Sequence, residues 1–280
     1  MKIGPYEIHS LETGRFALDG GAMFGVVPKT IWNKKNPADE LNRIEMALRI
    51  VLLKSHDKVI LIDTGIGHKF GPKQHDMYAI DFESSNLKDS LKQHDLSFDD
   101  VTDVILTHLH FDHAGGATQV RDDKIVPTFK NATYYVQQKN WDWANHPSEK
   151  DRASYLKENF IPLMQAEQLT LLQGYTEILP GISTWLSDGH TIGQQLIRVQ
   201  DQSENLIYCA DIIPTSSHIG LPYIMGYDLQ PLVTLEEKRR LLDQAASENW
   251  TLVFEHDPFM SACKVQQGER GVEFKSKVVF

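Results

Sequence analysis

The stretch Thr107–Gly116, THLHFDHAGG, decides how this sequence is interpreted. It directly follows the apolar run Asp103–Leu106 (DVIL), which is typical of a buried strand. Within six residues it places four side chains of metal-binding type, namely His108, His110, Asp112 and His113. A loop that leaves a sheet can aim such side chains at one point, whereas a strand alternates them between two faces. Because zinc and similar metals prefer imidazole and carboxylate ligands, the segment predicts a metal site at a strand end.

Further polar residues follow other strand-like runs along the chain. His190 follows ISTWLSDG, Asp211 follows NLIYCA, and His256 follows TLVFE. With the first segment they make five histidines and two aspartates, enough to hold two metals that share one carboxylate. An earlier run, Lys58–Asp63 (KVILID), ends in Asp63 at another strand-end turn.

The pattern of apolar runs predicts strands that alternate with helices. Ile44–Leu53 and Lys58–Asp63 indicate a hairpin, and a β-then-α pattern recurs near 44–120 and 178–250. We therefore expect one domain over 1–280, made of two similar halves. In finer detail, we expect a loop over Gly14–Gly25 and one strand over Ile178–Leu186. A capping box at Ser148 and Asp151 predicts a helix that runs through Tyr155 and Phe160 to Pro162. A second capping box is predicted at Thr234 and Glu237.

Composition excludes several classes of protein. The 28 Lys and Arg residues against 38 Asp and Glu residues give a formal charge of −10, which argues against a general nucleic-acid binder. A membrane span needs about 18 consecutive apolar residues, and no apolar run in this sequence is that long. The first residues, MKIGPYEIHS, lack the apolar core of a secretory signal. Cys209 and Cys263 lack a CxxC spacing and are expected to be reduced thiols. We therefore expect a cytoplasmic enzyme without a membrane or nucleic-acid partner.

These ordered motifs resemble those of the metallo-β-lactamase superfamily, and the resemblance runs through nearly the whole chain. It implies an α+β fold, an αββα sandwich of two mixed sheets flanked by helices. It also implies that His108, His110 and His190 bind one metal, that Asp112, His113 and His256 bind a second, and that Asp211 bridges the two. Asp63, in the DTG motif, is expected to orient ligands by hydrogen bonds.

Hydrolysis is the chemistry that such a metal pair supports. Two divalent ions, zinc first and manganese, iron or cobalt as alternatives, lower the pKa of a bridging water and supply hydroxide near neutral pH. Asp112 is expected to act as general acid and base, and Asp211 to share in catalysis as the bridge.

A finer resemblance is to N-acyl-homoserine lactonases that quench quorum sensing, and to methyl-parathion-type hydrolases. Its carriers are Asp19–Trp32, THLHFDHAGG and Cys209–His218. The better studied lactonases have a tyrosine three residues after the bridging aspartate, where this chain has Pro214, and Tyr223 is a candidate substitute. Candidate pocket residues are Met23, Phe24, Trp141 and Trp143, and His218 is expected not to be a ligand.

The sequence leaves several functions open. The leading prediction is hydrolysis of a small ester-like substrate, a lactone first. Phosphotriester or phosphodiester hydrolysis and a glyoxalase-II-type thioesterase use the same metal site, although no basic cluster is evident for a glutathione carboxylate. A di-iron oxygen or nitric-oxide reductase and a metal-binding protein without turnover are further alternatives. A small-molecule substrate is the expected partner, and the resemblance implies a homodimer.

Overall fold

The computed structural model describes all residues, 1–280, and contains two large sheets. The first has seven strands in the order β1-β2-β3-β4-β5-β8-β9. Its strands are β1 (Lys2–Ile3), β2 (Tyr6–Asp19), β3 (Arg43–Lys54), β4 (Val59–Ile62), β5 (Asp103–Ile105), β8 (Thr133–Gln137) and β9 (Leu169–Leu172). A small separate hairpin joins β6 (Thr118–Arg121) to β7 (Lys124–Pro127).

The second sheet also has seven strands, and these follow one another in chain order. They are β10 (Glu177–Leu179), β11 (Ile182–Ser187), β12 (Gln194–Gln200), β13 (Asn205–Tyr208), β14 (Thr251–Val253), β15 (Ala262–Gly268) and β16 (Gly271–Val278). Both sheets are mixed, because β4, β5, β8 and β9 pair in parallel, as do β13 and β14, while the other pairs are antiparallel.

Eight helices complete the fold. They are α1 (Gly20–Phe24), α2 (Lys29–Trp32), α3 (Pro72–Tyr78), α4 (Leu87–Lys92), α5 (Phe111–Ala114), α6 (Gln138–Asn145), α7 (Ile161–Gln165) and α8 (Pro231–Ser247). None of them is long and apolar enough to cross a bilayer.

Apolar side chains between and outside the sheets establish the layers. Ile62 and Ile105 of the first sheet share one buried cluster with Ile197 and Val253 of the second. Helices cover the outer faces: Leu91, Ala144 and Leu163 pack on the first sheet, and Leu241, Leu242 and Ala245 of α8 pack on the second. Each buried aliphatic side chain contributes roughly 1.5–3 kcal/mol. The predicted αββα sandwich is confirmed.

Strand direction places the functional loops together. β4 and β5 run in parallel, and so do β13 and β14, so the carboxyl ends of each pair lie at one edge of their sheet. Gln195 joins the sheets at this edge: its backbone nitrogen donates to the carbonyl oxygen of Thr107 over 2.9 Å, and its side-chain nitrogen donates to that of Leu106 over 2.8 Å.

Two expectations about strands need correction, while the hairpin over Ile44–Leu53 and Lys58–Asp63 is confirmed as β3 and β4. The glycine-rich stretch Gly14–Gly25 is not a loop: β2 continues to Asp19, and α1 follows. Gly14, with φ 145°, lies at a break in the pairing of β2 with β3, a bulge at which glycine is suited. Ile178–Leu186 is a hairpin rather than one strand, because Pro180 and Gly181 turn the chain between β10 and β11.

The two predicted capping boxes are wrong. Asp151 accepts hydrogen bonds from the Ser148 hydroxyl and from the Trp143 indole, both over 2.7 Å, and so fixes a turn. Only short 3₁₀ turns, at Arg152–Ser154 and Lys157–Asn159, precede α7. Thr234 lies within α8, which begins at Pro231, a residue that favours the first helical turn.

Candidate metal centre

Asp63 fixes the loop that follows β5. Its backbone is left-handed, with φ 60°, a conformation that aspartate tolerates better than most residues. Its carboxylate accepts hydrogen bonds from the backbone nitrogen and the hydroxyl of Thr107, both over 2.7 Å. At the other end of this loop, the backbone at Gly115 packs closely against the backbone at Ile66. A Cβ atom on Gly115 would lie 2.0 Å from the carbonyl oxygen of Ile66, so a side chain does not fit there. The loop therefore has one well-defined path.

The first group of side chains lies at the junction of the two sheets. It comprises His108, His110, His190 and Asp211, all buried. The Nδ1 atom of His110 lies 3.0 Å from Nε2 of His108 and 3.2 Å from Nε2 of His190. Oδ2 of Asp211 lies 3.2 Å from Nε2 of His190. These atoms surround one point, as the ligands of a single ion would.

The second group is formed by Asp112, His113 and His256, which are also buried. Nε2 of His256 lies 3.4 Å from Nε2 of His113 and 3.7 Å from the Asp112 carboxylate. Asp211 lies between the groups, because its Oδ2 is 3.4 Å from Nε2 of His113 and its Oδ1 is 3.2 Å from Nε2 of His256. We call these seven residues, together with Asp63, the histidine–aspartate cluster. The structure thus brings together every residue for which the sequence predicts a ligand role, with Asp211 in the bridging place.

Hydrogen bonds on the outer side of the rings show which nitrogens carry protons. Nδ1 of His190 donates to Asp228 over 2.9 Å, and Nδ1 of His256 donates to the Ala47 carbonyl over 3.0 Å. Because the Thr107 hydroxyl donates its one proton to Asp63, it accepts from Nδ1 of His108.

The inner Nε2 atoms of His108 and His190 are therefore left with lone pairs, which both face Nδ1 of His110, and Oδ1 of Asp211 has no hydrogen-bond partner. Such an arrangement of acceptors fits a cation. The donor set of imidazole and carboxylate has the chemistry of a divalent-metal site.

The electrostatics of the cluster also favour cations. Burial opposes charge on His113, but Glu255, Asp211 and Asp112 raise its pKa well above the usual range. Burial likewise opposes charge on His256, and Asp211 and Glu255 raise its pKa to about 9. Burial and the neighbouring histidines lower the pKa values of His108 and His110, so these rings are neutral. The negative potential around His113 and His256 is one that a divalent cation would neutralise.

Three residues support the cluster in roles that were not predicted from the sequence. Glu255 accepts from Nδ1 of His113 over 2.8 Å, beside Asp63 at 3.1 Å, and its pKa is raised to about 8 by burial. Asp228 holds His190, as described above. Glu237 of α8 accepts from the Ser187 hydroxyl and from the backbone nitrogens of Asp188 and Gly189, over 2.7, 2.9 and 3.2 Å. Only Glu255 had a signal in the sequence, its position next to His256.

A cavity of about 260 Å³ opens onto the cluster at His110, Asp112, His190, Asp211 and His256. Much of its wall is apolar, and its residues include Leu18, Met23, Met46, Phe111 and Met225. Met23 thus lies where the sequence analysis expects it. Tyr78 and Tyr227 also line this cavity and were not predicted.

The other predicted pocket residues lie elsewhere. Phe24 is buried behind the wall, stacked on Trp32 and on His218. Trp141 packs edge-on against Phe160 in the core, because this segment forms α6 against the first sheet. The Trp143 indole donates to the Asp151 carboxylate, and Tyr223 packs edge-on against Phe24. His218 is not part of the cluster, as expected, and the Pro214 carbonyl accepts from the backbone nitrogen of His256 over 3.0 Å.

Comparison with known sequences gives a consistent family. A family model of the metallo-beta-lactamase superfamily matches residues 49–256. The chain is 26% identical over 219 residues to an N-acyl homoserine lactonase of Bacillus thuringiensis, covering 74% of this chain and 79% of that protein. It is 27% identical over 170 residues to the N-acyl homoserine lactonase AttM of Rhizobium radiobacter, covering 58% and 61%.

Solved structures agree with this result. A probable metal-dependent hydrolase from Staphylococcus aureus superposes with a TM-score of 0.89 over 100% of both chains, at 32% identity. AidC, a dizinc quorum-quenching lactonase, superposes with a TM-score of 0.81 at 22% identity, over 100% of this chain and 97% of that one. On its matched sequence, its αββα layers and its histidine–aspartate cluster, the chain belongs to the metallo-beta-lactamase superfamily.

Proposed function

We propose that the chain is a dinuclear-metal hydrolase that opens a lactone ring, and that its substrate is an N-acyl-homoserine lactone. The observation that carries this proposal is the cavity of about 260 Å³, whose apolar wall leads directly to the histidine–aspartate cluster. A substrate with an apolar chain and a small ester head matches such a wall. Methionine side chains adapt to chains of different length, and Met23, Met46 and Met225 all line the cavity.

The charge of the cavity wall bears on the alternatives. Lys150 is the one lysine or arginine among the lining residues, and its ammonium group already donates to the carbonyl oxygens of Tyr227 and Asp228. A glutathione thioester carries carboxylates that would need free cations at this wall. A neutral acyl lactone needs none, so the wall favours the lactone over the thioesterase alternative.

Seven residues would hold the metal pair: His108, His110 and His190 on one side, Asp112, His113 and His256 on the other, and Asp211 between them. When bound, the pair activates a water molecule near neutral pH and polarises the ester carbonyl. Asp112 lines the cavity, so its carboxylate can accept a proton there and return it to the leaving alkoxide oxygen. Asp63, Asp228 and Glu255 orient the rings from behind.

The relatives support this choice of substrate. The proteins from Bacillus thuringiensis and Rhizobium radiobacter described above are both N-acyl homoserine lactonases. Cytoplasmic location, a small-molecule substrate and a homodimer remain part of the proposal, with zinc as the first choice of metal.

A substrate panel tests the proposal. The metal content of the reconstituted protein is measured, and the protein is then assayed with N-hexanoyl-homoserine lactone, an aryl phosphotriester and an acyl thioester. We expect two metals per chain and lactone turnover that falls in His108→Ala by more than the ~10–100-fold typical of losing an outer hydrogen-bond partner. His56→Ala is the matched control, since His56 is exposed and outside the cluster.

Two results would overturn the proposal. Rapid phosphotriester hydrolysis without lactone turnover would assign the site to the phosphotriesterase alternative. A content of one metal per chain, unchanged by excess metal, would remove the dinuclear mechanism.

A further inference from the structure

A second cavity, of about 550 Å³, lies beside the loop that follows β5, and no residue of the histidine–aspartate cluster lines it. It reaches the backbone at Thr64, Gly67 and Gly116, and shares no lining residue with the cavity at the cluster. Hydrolysis as proposed above makes no use of it.

Lys69 brings an unneutralised positive charge to this cavity. Its Nζ atom donates to the carbonyl oxygens of Gly115 and Thr118, which leaves one of its three donor positions free. Its ammonium group forms no ion pair with a carboxylate. Burial lowers its pKa to about 8, and only the more distant charge of Glu158 acts in the opposite direction. A ligand with an anionic group would supply the missing partner.

The other polar groups of the wall point the same way. Lys88 is exposed and forms no ion pair, and His68 lies beside Lys69. The one carboxylate in the wall, Asp89, already accepts from the side-chain nitrogen of Asn86 over 2.7 Å. Thr128 is 6% exposed, and its hydroxyl has no hydrogen-bond partner. The wall of this cavity therefore offers two ammonium groups and one unused hydroxyl.

An apolar surface completes the cavity. It is formed by Phe82, Leu87, Phe98 and Val120. Val120 is 59% exposed, and the Phe82 ring lies 4.1 Å from that of His68, centroid to centroid. A ligand that covered these side chains would gain about 25 cal/mol for each Å² of apolar surface removed from water.

We propose that this cavity is a binding site for a small amphipathic anion, whose carboxylate or phosphate group lies at Lys69, Lys88 and Thr128 and whose apolar body covers Phe82, Phe98 and Val120. The site is separate from the metal centre and does not depend on the proposed hydrolysis.

Calorimetric titration of the metal-loaded protein with octyl sulfonate tests the proposal. A sulfonate is chosen because it is a weak metal ligand, whereas a carboxylate would also bind at the cluster. We expect saturable binding that is at least tenfold weaker in Lys69→Met and also weaker in Lys88→Met. Lys124→Met, in β7 outside the cavity, is the matched control and should bind as the wild type does. Octanol, which lacks the charge, should bind much more weakly. A parallel titration with octanoate and octyl phosphate then distinguishes the two natural head groups.

Because Lys69 also holds two carbonyl groups, its variant is checked by thermal unfolding. Lys88→Met and the isosteric Thr128→Val keep the test valid if Lys69→Met does not fold. The proposal is overturned if the wild type does not bind the sulfonate, if all variants bind equally, or if octanol binds as tightly.

Discussion

His218 joins two loops behind the cavity that opens onto the histidine–aspartate cluster. Its Nε2 atom donates to the Met23 carbonyl over 2.8 Å, and its Nδ1 atom accepts from the Thr215 hydroxyl over 2.7 Å. Because a carbonyl oxygen can only accept, the ring carries a proton on Nε2. Because Nδ1 accepts from Thr215, it has a lone pair and no proton, and the ring is neutral. Burial lowers its pKa to about 3. His218 therefore acts through Met23, whose place on the cavity wall it fixes.

This neutral histidine predicts a loss of stability in acid. As the pH falls from about 6.5 towards 3, the unfolded chain binds a proton at this residue and the folded chain does not. The free energy of unfolding therefore falls in that window, by up to ~1.4 kcal/mol per pH unit from this group alone, and the contribution is complete above pH 6.5. Urea unfolding at pH 7 and pH 5 should show a smaller acid loss in His218→Gln than in the wild type.

His56→Gln serves as the control, since the exposed His56 should leave the acid loss unchanged. An equal loss in His218→Gln and wild type would show that His218 is protonated in the folded protein.

At the level of residues, sequence analysis finds what is close in the chain. His108, His110, Asp112 and His113 were predicted because four metal-binding side chains lie within six positions. Asp228 was missed because it lies far from His190 in sequence and has no motif of its own; only the folded chain brings the two within 2.9 Å.

Among the elements, α8 anchors two loops of the site through consecutive side chains. Glu237 accepts three hydrogen bonds from the turn that leads into His190. Lys238, fully buried, donates to the carbonyl oxygens of Gly220 and Tyr223, both over 2.8 Å, and so holds the loop that carries Met225. The helix thus acts on the metal centre and on the cavity wall, although none of its residues belongs to the histidine–aspartate cluster or lines that cavity.

Removal of Glu237 should loosen the metal centre. In Glu237→Ala three donors before His190 lose their acceptor, so we expect metal affinity to fall by ~10–100-fold, as for other outer hydrogen-bond partners. Competition with a chromophoric chelator measures the affinity, and circular dichroism checks the fold. Glu236→Ala, which removes an exposed neighbour, should keep wild-type affinity. Equal affinities in the two variants would mean that the turn holds His190 without α8.

Glu237 also shows why some elements were mispredicted. The spacing of Thr234 and Glu237 is that of a capping box. The Glu237 carboxylate, however, accepts hydrogen bonds from a turn that is distant in sequence and not from the start of its own helix. Similarly, Asp151 binds the Trp143 indole rather than opening a helix. In both places a tertiary hydrogen bond competes with a local pattern, and local patterns do not reveal it.

For the whole molecule, the cluster lies across the junction of the two sheets. His108, His110, Asp112 and His113 follow β5 of the first sheet, whereas His190, Asp211 and His256 follow strands of the second. The αββα order of the layers could be predicted from the sequence, because the metal-binding motifs resemble those of the metallo-β-lactamase superfamily. That these two halves make one domain over 1–280 stays a prediction.

Metal removal should therefore destabilise the fold as a whole. A metal at 100 times its dissociation constant adds about 2.7 kcal/mol to folding, and each kcal/mol corresponds to about 2–4 °C for a chain of this size class. We expect the unfolding temperature to fall by about 5–10 °C in chelator. Zinc or manganese should restore it, and magnesium, which prefers oxygen ligands, should not.

The same scan on His108→Ala provides the comparison. Its unfolding temperature should respond less to chelator. A wild type that melts at the same temperature with and without chelator would show that metal binding is not coupled to the packing of the sheets.

The apolar side chains of the cavity wall are distinct from the side chains that face the metal site. Leu18, Met23, Met46 and Met225 come from β2, α1, β3 and the loop before α8, and none of them belongs to the histidine–aspartate cluster. Selectivity can therefore evolve by single substitutions while the reactive centre stays intact. For directed evolution, these four positions form a compact library in which new substrate preferences can be selected without rebuilding the catalyst.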